Sequence, residues 1–299
     1  MANSFLTVGT RRVAVDTEGA AGPTVVLLHG IPGWRGTWRP VTDRLRSTHR
    51  TIAPDLLGFG DSDPVAPYVH ASGQADMVAA LFDVLDLDRV HLVGFDFGGP
   101  TAVLTARRAR HRVASLTLLA TNLFPNTPIP KPLQLARVPL VGDLAFRVAF
   151  SRTGLMALWL AAVVDRRAFP FERYRLMLRS PAGITSTRRI FLDSLRNLKG
   201  LYGEIERAAS ALSMPALVLW GDRDPFFPIA IGERTAGALR ARFACLAGCG
   251  HFVPEERSAD VAAAIAALVA EVEQASRDGG RSMIAPAHAD VLRRTCGRV

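Results

Sequence analysis

The tightest constraint on how this chain can fold is the segment Leu92-Val93-Gly94-Phe95-Asp96-Phe97-Gly98-Gly99. An apolar run enters it and a helical pattern leaves it, so strand must turn into helix within a couple of residues. Gly94 and Gly98 flank the central Asp96 with the spacing of a sharp elbow, where small neighbours permit the turn and one side chain is pushed upward.

Short β-rich runs recur along the chain: Arg12 to Val15, Thr24 to Leu28, Thr51 to Pro54, Val90 to Gly94, Ala114 to Leu119 and Ala216 to Trp220. Amphipathic patterns predict helices over Ala71 to Leu87, Gly98 to Arg110 and Ser258 to Ala275. Continuous apolar strands alternating with such helices indicate an α/β fold with a mostly parallel sheet covered on both faces. The pattern changes over residues 122–213, where Pro125, Pro128, Pro130, Pro132, Pro170 and Pro181 punctuate helical stretches carrying Phe146, Phe150, Trp159, Phe169 and Phe171. Because a core strand follows, this segment is expected to be a helical lid inserted into a core of residues 1–121 and 214–275. The tail, 276–299, has weak periodicity and is expected to be flexible or an appended helix.

Composition narrows the function classes. The 299 residues are 49% hydrophobic, enough to bury a large core. The formal charge is +9, but Lys131 and Lys199 are the only lysines, and the arginines are scattered. The densest basic run, Arg107 to Arg112, falls at an expected helix end, where it complements the helix dipole. No nucleic-acid partner is expected, for want of a basic face interleaved with aromatics. Met1 to Gly9 lacks a basic start and apolar run, and no later stretch stays apolar for about 18 residues, so a cytoplasmic location without a membrane partner is expected. Cys245, Cys249 and Cys296 make an odd set without zinc-like spacing, so neither a disulfide framework nor a metal is expected.

Three further segments complete a chemical constellation. The apolar run Ala216 to Trp220 ends in Gly221-Asp222-Arg223-Asp224-Pro225, where Asp224, or alternatively Asp222, is placed to accept from an imidazole and orient it. Gly248-Cys249-Gly250-His251 supplies that imidazole late in the chain, giving the order nucleophile, acid, histidine. After Thr24 to Leu28 comes His29-Gly30-Ile31-Pro32-Gly33-Trp34, from which the Ile31 N–H can converge with that of Phe97 on the Asp96 carboxyl. His29 itself is expected to hold the loop. Asp96 could merely cap the following helix. With His251 and Asp224 present, it reads instead as a nucleophile that attacks saturated carbon and forms an alkyl ester, which His251-activated water hydrolyses.

These segments, with Trp38-Arg39 and Asp55-Leu56-Leu57-Gly58-Phe59-Gly60-Asp61-Ser62, resemble the epoxide hydrolase and haloalkane dehalogenase branch of the α/β-hydrolase superfamily across roughly residues 5 to 275. The resemblance implies an α/β-hydrolase fold and catalysis by Asp96, His251 and Asp224. Dehalogenases of that branch place Trp after the nucleophile and Asn after the His-Gly pair. Here those positions hold Phe97 and Ile31, whose side chains donate no hydrogen bond. Phe97 also replaces the Arg of fluoroacetate dehalogenases. Epoxide hydrolases use two lid tyrosines as acids, for which Tyr174 and Tyr202 are the candidates, although Phe95 replaces their common His before the nucleophile.

Epoxide opening to a diol is therefore the leading expectation. The alternatives are carbon–halogen hydrolysis, a non-hydrolytic ring opening or carbon–carbon reaction with Asp96 and His251 as acid and base, and noncatalytic ligand binding. Trp34, Phe95, Trp159, Phe226, Tyr174 and Tyr202 are the expected walls for a small hydrophobic substrate. No cofactor is implied, and the chain is expected to act as a monomer or homodimer.

Overall fold

The computed structural model describes residues 4–19, 21–65, 69–127, 138 and 140–278. Cys296, Lys131, the prolines at 128, 130 and 132, and all of the expected tail beyond 278 lie outside the described residues.

Eight strands form one sheet: β1 (Ser4–Val8), β2 (Arg11–Glu18), β3 (Thr24–Leu28), β4 (Arg50–Pro54), β5 (Val90–Phe95), β6 (Val113–Leu119), β7 (Ala216–Gly221) and β8 (Arg242–Leu246). Their spatial order is β1-β2-β4-β3-β5-β6-β7-β8. Only the β1–β2 and β2–β4 pairings are antiparallel. The other pairings are parallel. Helix α1 (Arg39–Leu45) follows β3 after a short 3-10 turn, α2 (Ala71–Val84) precedes β5, and α3 (Gly98–Arg108) leaves the elbow. Between β6 and β7 lie α4 (Val141–Ala149), α5 (Arg152–Ala162), α6 (Phe171–Leu176), α7 (Pro181–Arg196) and α8 (Leu198–Ala211). The chain closes with α9 (Ile229–Leu239), α10 (Val253–Glu256) and α11 (Ser258–Arg277).

The central strands are apolar throughout because alternate side chains enter two different cores. On β3, Val26 and Leu28 join α2, α3, α8 and α9 on one face. Val25 and Leu27 join α1 and α11 on the other. Each fully buried aliphatic side chain contributes roughly 1.5–3 kcal/mol, so the two-sided cover makes the parallel strands the most firmly held part of the molecule. Edge strand β1 matches none of the runs read from the sequence. Four of its five side chains are partly or fully exposed, so no apolar run marks it. Helix α2 ends at Val84, short of the expected Leu87, where Asp86 turns to φ +52° and breaks the helical hydrogen-bond pattern.

Candidate active site

Parallel strands all present their carboxyl ends at one edge, and that edge collects the loops that matter here. The loop after β3 carries Gly30 and Ile31, Asp96 follows β5, Asp224 follows β7, and His251 follows β8. Asp96 sits at φ +48°, a conformation that costs a non-glycine residue energy and lifts its side chain clear of the sheet. Its amide donates to the Leu119 carbonyl (3.0 Å), and its carbonyl accepts from Gly99 N (2.9 Å) and Thr121 Oγ1 (2.7 Å), which together hold the turn. Close approach requires glycine both at the elbow and in the loop beside it. A Cβ on Gly98 would stand 2.2 Å from the Leu28 carbonyl oxygen, and one on Gly30 would stand 2.6 Å from the Asp96 Cβ.

The two oxygens of Asp96 have different surroundings. Oδ1 accepts from the Ile31 amide at 2.7 Å, and the Phe97 amide also hydrogen-bonds the carboxylate. Oδ2 faces His251, with Nε2 at 3.7 Å. His251 Nδ1 lies 2.8 Å from Asp224 Oδ2. Asp224 Oδ1 is in turn held by the amides of Phe226 (2.8 Å) and Phe227 (3.1 Å). Asp222, the other acid weighed from sequence, instead accepts from the Cys249 amide (3.1 Å) and so braces the loop that carries His251. Four rings pack around the imidazole, with centroids of Phe95, Phe226, Phe227 and Phe252 at 4.9–5.7 Å. They leave it little rotational freedom.

Burial pushes the Asp96 carboxyl above the usual carboxylate range, against the opposing pull of His251 and the two amides. Burial alone would lower His251, but the charge and hydrogen bond of Asp224, aided by Asp96, outweigh it and raise the imidazole pKa. His29 is locked in the loop, with Nε2 accepting from the Leu56 amide (3.0 Å) and Nδ1 donating to the Gly30 carbonyl (2.9 Å). Burial lowers its pKa, in keeping with a neutral structural ring. The same loop is pinned by Arg35, whose guanidinium meets Asp16 (2.8 Å), Asp61 (2.8 Å) and the fully buried Asp55.

A cavity of about 330 Å³ opens directly above this edge. Asp96, His251, Ile31, Phe97 and Phe226 form its base, and Phe146, Tyr174 and Tyr202 are among the side chains of the inserted helices that wall it. Three residues expected as walls do not line it, and each has a packing reason. Phe95, the last residue of β5, points into the opposite core layer and is only 1% exposed. Trp34 lies beneath the Arg179 guanidinium, 4.0 Å from its ring. Trp159 donates its indole N–H to the Phe169 carbonyl (2.9 Å), and its ring packs at a tilt against Phe171 of α6. Sequence reading missed Asn122, Thr127, Ser194, Phe227 and Phe252, which do line the cavity. Phe227 and Phe252 stand beside Asp224 and His251 in sequence, a signal that could have found them. Nothing local marks Asn122 or Ser194. Tyr202 and Ser194 are hydrogen-bonded, and the charge of Asp96 acts on the Tyr202 phenol. His70 Nε2 continues this line, 3.3 Å from Ser194 Oγ.

Over residues 23–258 the sequence matches the family model for the alpha/beta hydrolase fold. The chain belongs to that family. Among curated relatives it is 28% identical over 264 residues to a 2-hydroxy-6-oxononadienedioate/2-hydroxy-6-oxononatrienedioate hydrolase of Paraburkholderia xenovorans (strain LB400), covering 84% of this chain and 88% of the relative. It is 30% identical over 292 residues to a cis-3-alkyl-4-alkyloxetan-2-one decarboxylase of Shewanella oneidensis (strain ATCC 700550 / JCM 31522 / CIP 106686 / LMG 19005 / NCIMB 14063 / MR-1), covering 90% of this chain and 88% of the relative. Among solved structures, the epoxide hydrolase CorEH superposes with a TM-score of 0.74 at 23% identity, covering 90% of this chain and 98% of that one. At that identity the likeness speaks for the fold. This α/β-hydrolase family member is an enzyme of the hydrolase class.

Proposed function

We propose that the protein opens an epoxide on a bulky hydrophobic molecule and hydrolyses it to a vicinal diol. The observation that carries this reading is the division of labour on Asp96: the Ile31 amide holds Oδ1, the Phe97 amide also hydrogen-bonds the carboxylate, and Oδ2 faces His251. Oδ2 attacks a ring carbon, the ring C–O bond breaks, and a lid phenol protonates the departing alkoxide. Of the two phenols on the cavity wall, Tyr202 is assigned this role because the Asp96 charge acts on it and Ser194 holds it. In the ester the carbonyl oxygen is Oδ1, which already accepts from the Ile31 amide, with the Phe97 amide at the same carboxyl as the second donor of an oxyanion hole. His251, oriented by Asp224, takes a proton from water as that water attacks the carboxyl carbon. The diol then leaves with an oxygen from Asp96, and water's oxygen stays in the carboxylate. Helices α4–α8 act as the lid that excludes bulk water.

The cavity lining also argues against two other chemistries. A dienedioate substrate, as named for the Paraburkholderia relative, is a dianion that wants cationic partners, and no Arg or Lys lines this cavity among the described residues. No indole N–H lines it either, which disfavours a halide site built from tryptophans. A second reading comes from the Shewanella relative: an oxetan-2-one carries a strained C–O bond that the same carboxylate could attack, with loss of carbon dioxide leaving an alkene.

The test is a single turnover in heavy-oxygen water with excess enzyme and an aryl or alkyl epoxide panel. Label is expected in the Asp96 peptide and not in the first diol, and His251→Gln is expected to stall with Asp96 heavier by the substrate's mass. Carbon dioxide and alkene from a disubstituted oxetan-2-one, without turnover of any epoxide, would move the second reading ahead.

A further inference from the structure

Helix α4 is apolar on two sides. Its inner side, Gly142, Phe146 and Ala149 at helical spacing, lines the cavity. Its outer side carries Val141, Leu144 and Val148, at i, i+3 and i+7, which are 44%, 65% and 62% exposed, and the preceding Leu140 is 81% exposed. A soluble surface rarely presents such a stripe without something to cover it. Among the described residues no single helix is long and apolar enough to cross a membrane. Helices α4 and α5 together reach the apolar length of a span, but they bend by 77° between them. Such a bent pair is suited to lying in a membrane interface rather than crossing it.

Charge singles out the occupant. Between residues 140 and 200 there are eleven Arg and Lys against four Asp and Glu, so most of the chain's net +9 lies in the segment that holds this stripe. Arg147, three residues after Leu144 on the same helix, and Arg152, at the start of α5, are both exposed. A second copy of the chain would bring the same positive surface against itself, whereas an anionic bilayer would neutralise it.

We propose that the outer face of α4 rests on an anionic lipid surface, so that apolar substrate passes from the bilayer through the α4 wall into the cavity above Asp96. This reverses the expectation that no membrane is a partner, which rested on the lack of a spanning segment and has no bearing on a helix lying in the interface.

Flotation with vesicles of phosphatidylcholine alone and with added phosphatidylglycerol tests it. Wild-type protein is expected to float with the phosphatidylglycerol vesicles, less with the neutral ones, and less again as salt is raised. Leu144→Glu with Val148→Glu, both side chains pointing away from the cavity, should lower partitioning on the order of a hundredfold while circular dichroism and melting stay as wild type. Arg147→Gln with Arg152→Gln, which spares the apolar stripe, should lower it on the order of tenfold at low salt. Failure of the wild type to float with either vesicle would overturn the proposal, as would unchanged flotation of the arginine pair. A dimer in sedimentation that the glutamate pair dissolves, with no vesicle binding, would assign the stripe to a second copy instead.

Discussion

The Nε2 of His251 lies 3.7 Å from Oδ2 of Asp96, too far for a direct hydrogen bond, while the other nitrogen of the ring is held at 2.8 Å by Asp224. The imidazole is thus tethered at its back and, among the described residues, makes no hydrogen bond at its front. That is the arrangement needed if its front nitrogen is to serve a water aimed at the Asp96 carboxyl carbon.

Asp224→Asn keeps the shape of the acid but loses its charge and stabilises the wrong tautomer of His251. The second step should slow by about 10³–10⁴-fold while ester formation is spared, so the alkyl-enzyme should accumulate on a quench-and-mass time course. A variant that turns over normally would mean that His251 is oriented by some other group.

The raised pKa of His251 sets the acid limb of turnover. Water activation needs the neutral ring, so kcat should fall as pH drops through a value above 6.5. Removing the Asp224 charge by Asp224→Asn should move that limb to lower pH, because its main raising influence is gone. Asp96 must be ionised to attack, and burial holds its carboxyl above the usual carboxylate range, so single-turnover ester formation should also fall as the carboxyl gains a proton in acid. Full-pH profiles of the two phases separate the two limbs.

Tyr202→Phe should cost ring opening more than Tyr174→Phe, by roughly 10²–10⁴-fold, since only Tyr202 is both under the influence of Asp96 and hydrogen-bonded to Ser194. Ser194→Ala leaves the phenol but frees its hydroxyl, so kcat should drop with KM little changed. Equal rates in Tyr202→Phe and wild type on an epoxide would remove Tyr202 as the acid.

The positive φ of Asp96 has its own test. Asp96→Ala and Asp96→Gly both abolish the carboxylate, but glycine accepts φ +48° without the cost an alanine meets there, so the glycine variant should be the more stable by about 1 kcal/mol. Urea unfolding of the pair decides it, and an alanine variant of equal or greater stability would contradict the strain.

Away from the site, buried His91 bridges Ser115 (2.8 Å) and Glu273 of α11 (3.2 Å), and burial lowers its pKa to about 4. Its unfolded value is 6.5, so this contribution to stability is fully present above pH 6.5 and is lost as pH falls towards 4. At about 1.4 kcal/mol per pKa unit, the loss approaches roughly 3 kcal/mol. Urea midpoints at pH 7 and 5 should converge in His91→Leu relative to wild type.

The sequence by itself determined the sheet and the order of its chemistry. Apolar runs such as Val90 to Gly94 are legible because both faces of a parallel strand are buried, and the loops carrying Ile31, Asp96, Asp224 and His251 are legible because each must follow a strand end. Edge strand β1 escaped for the opposite reason, its side chains being largely in solvent. What only the tertiary structure decided is which side chains face the cavity. Whether Phe95 or Phe97 points upward turns on one residue of backbone geometry at the elbow, and Trp159 is drawn from the cavity by a single hydrogen bond to Phe169. The meeting of Ser194 and Tyr202 with His70, more than a hundred residues earlier, depends on how α7 and α8 pack over the sheet. No local pattern encodes such a contact, because packing of non-adjacent elements, and not the propensity of any one segment, fixes it.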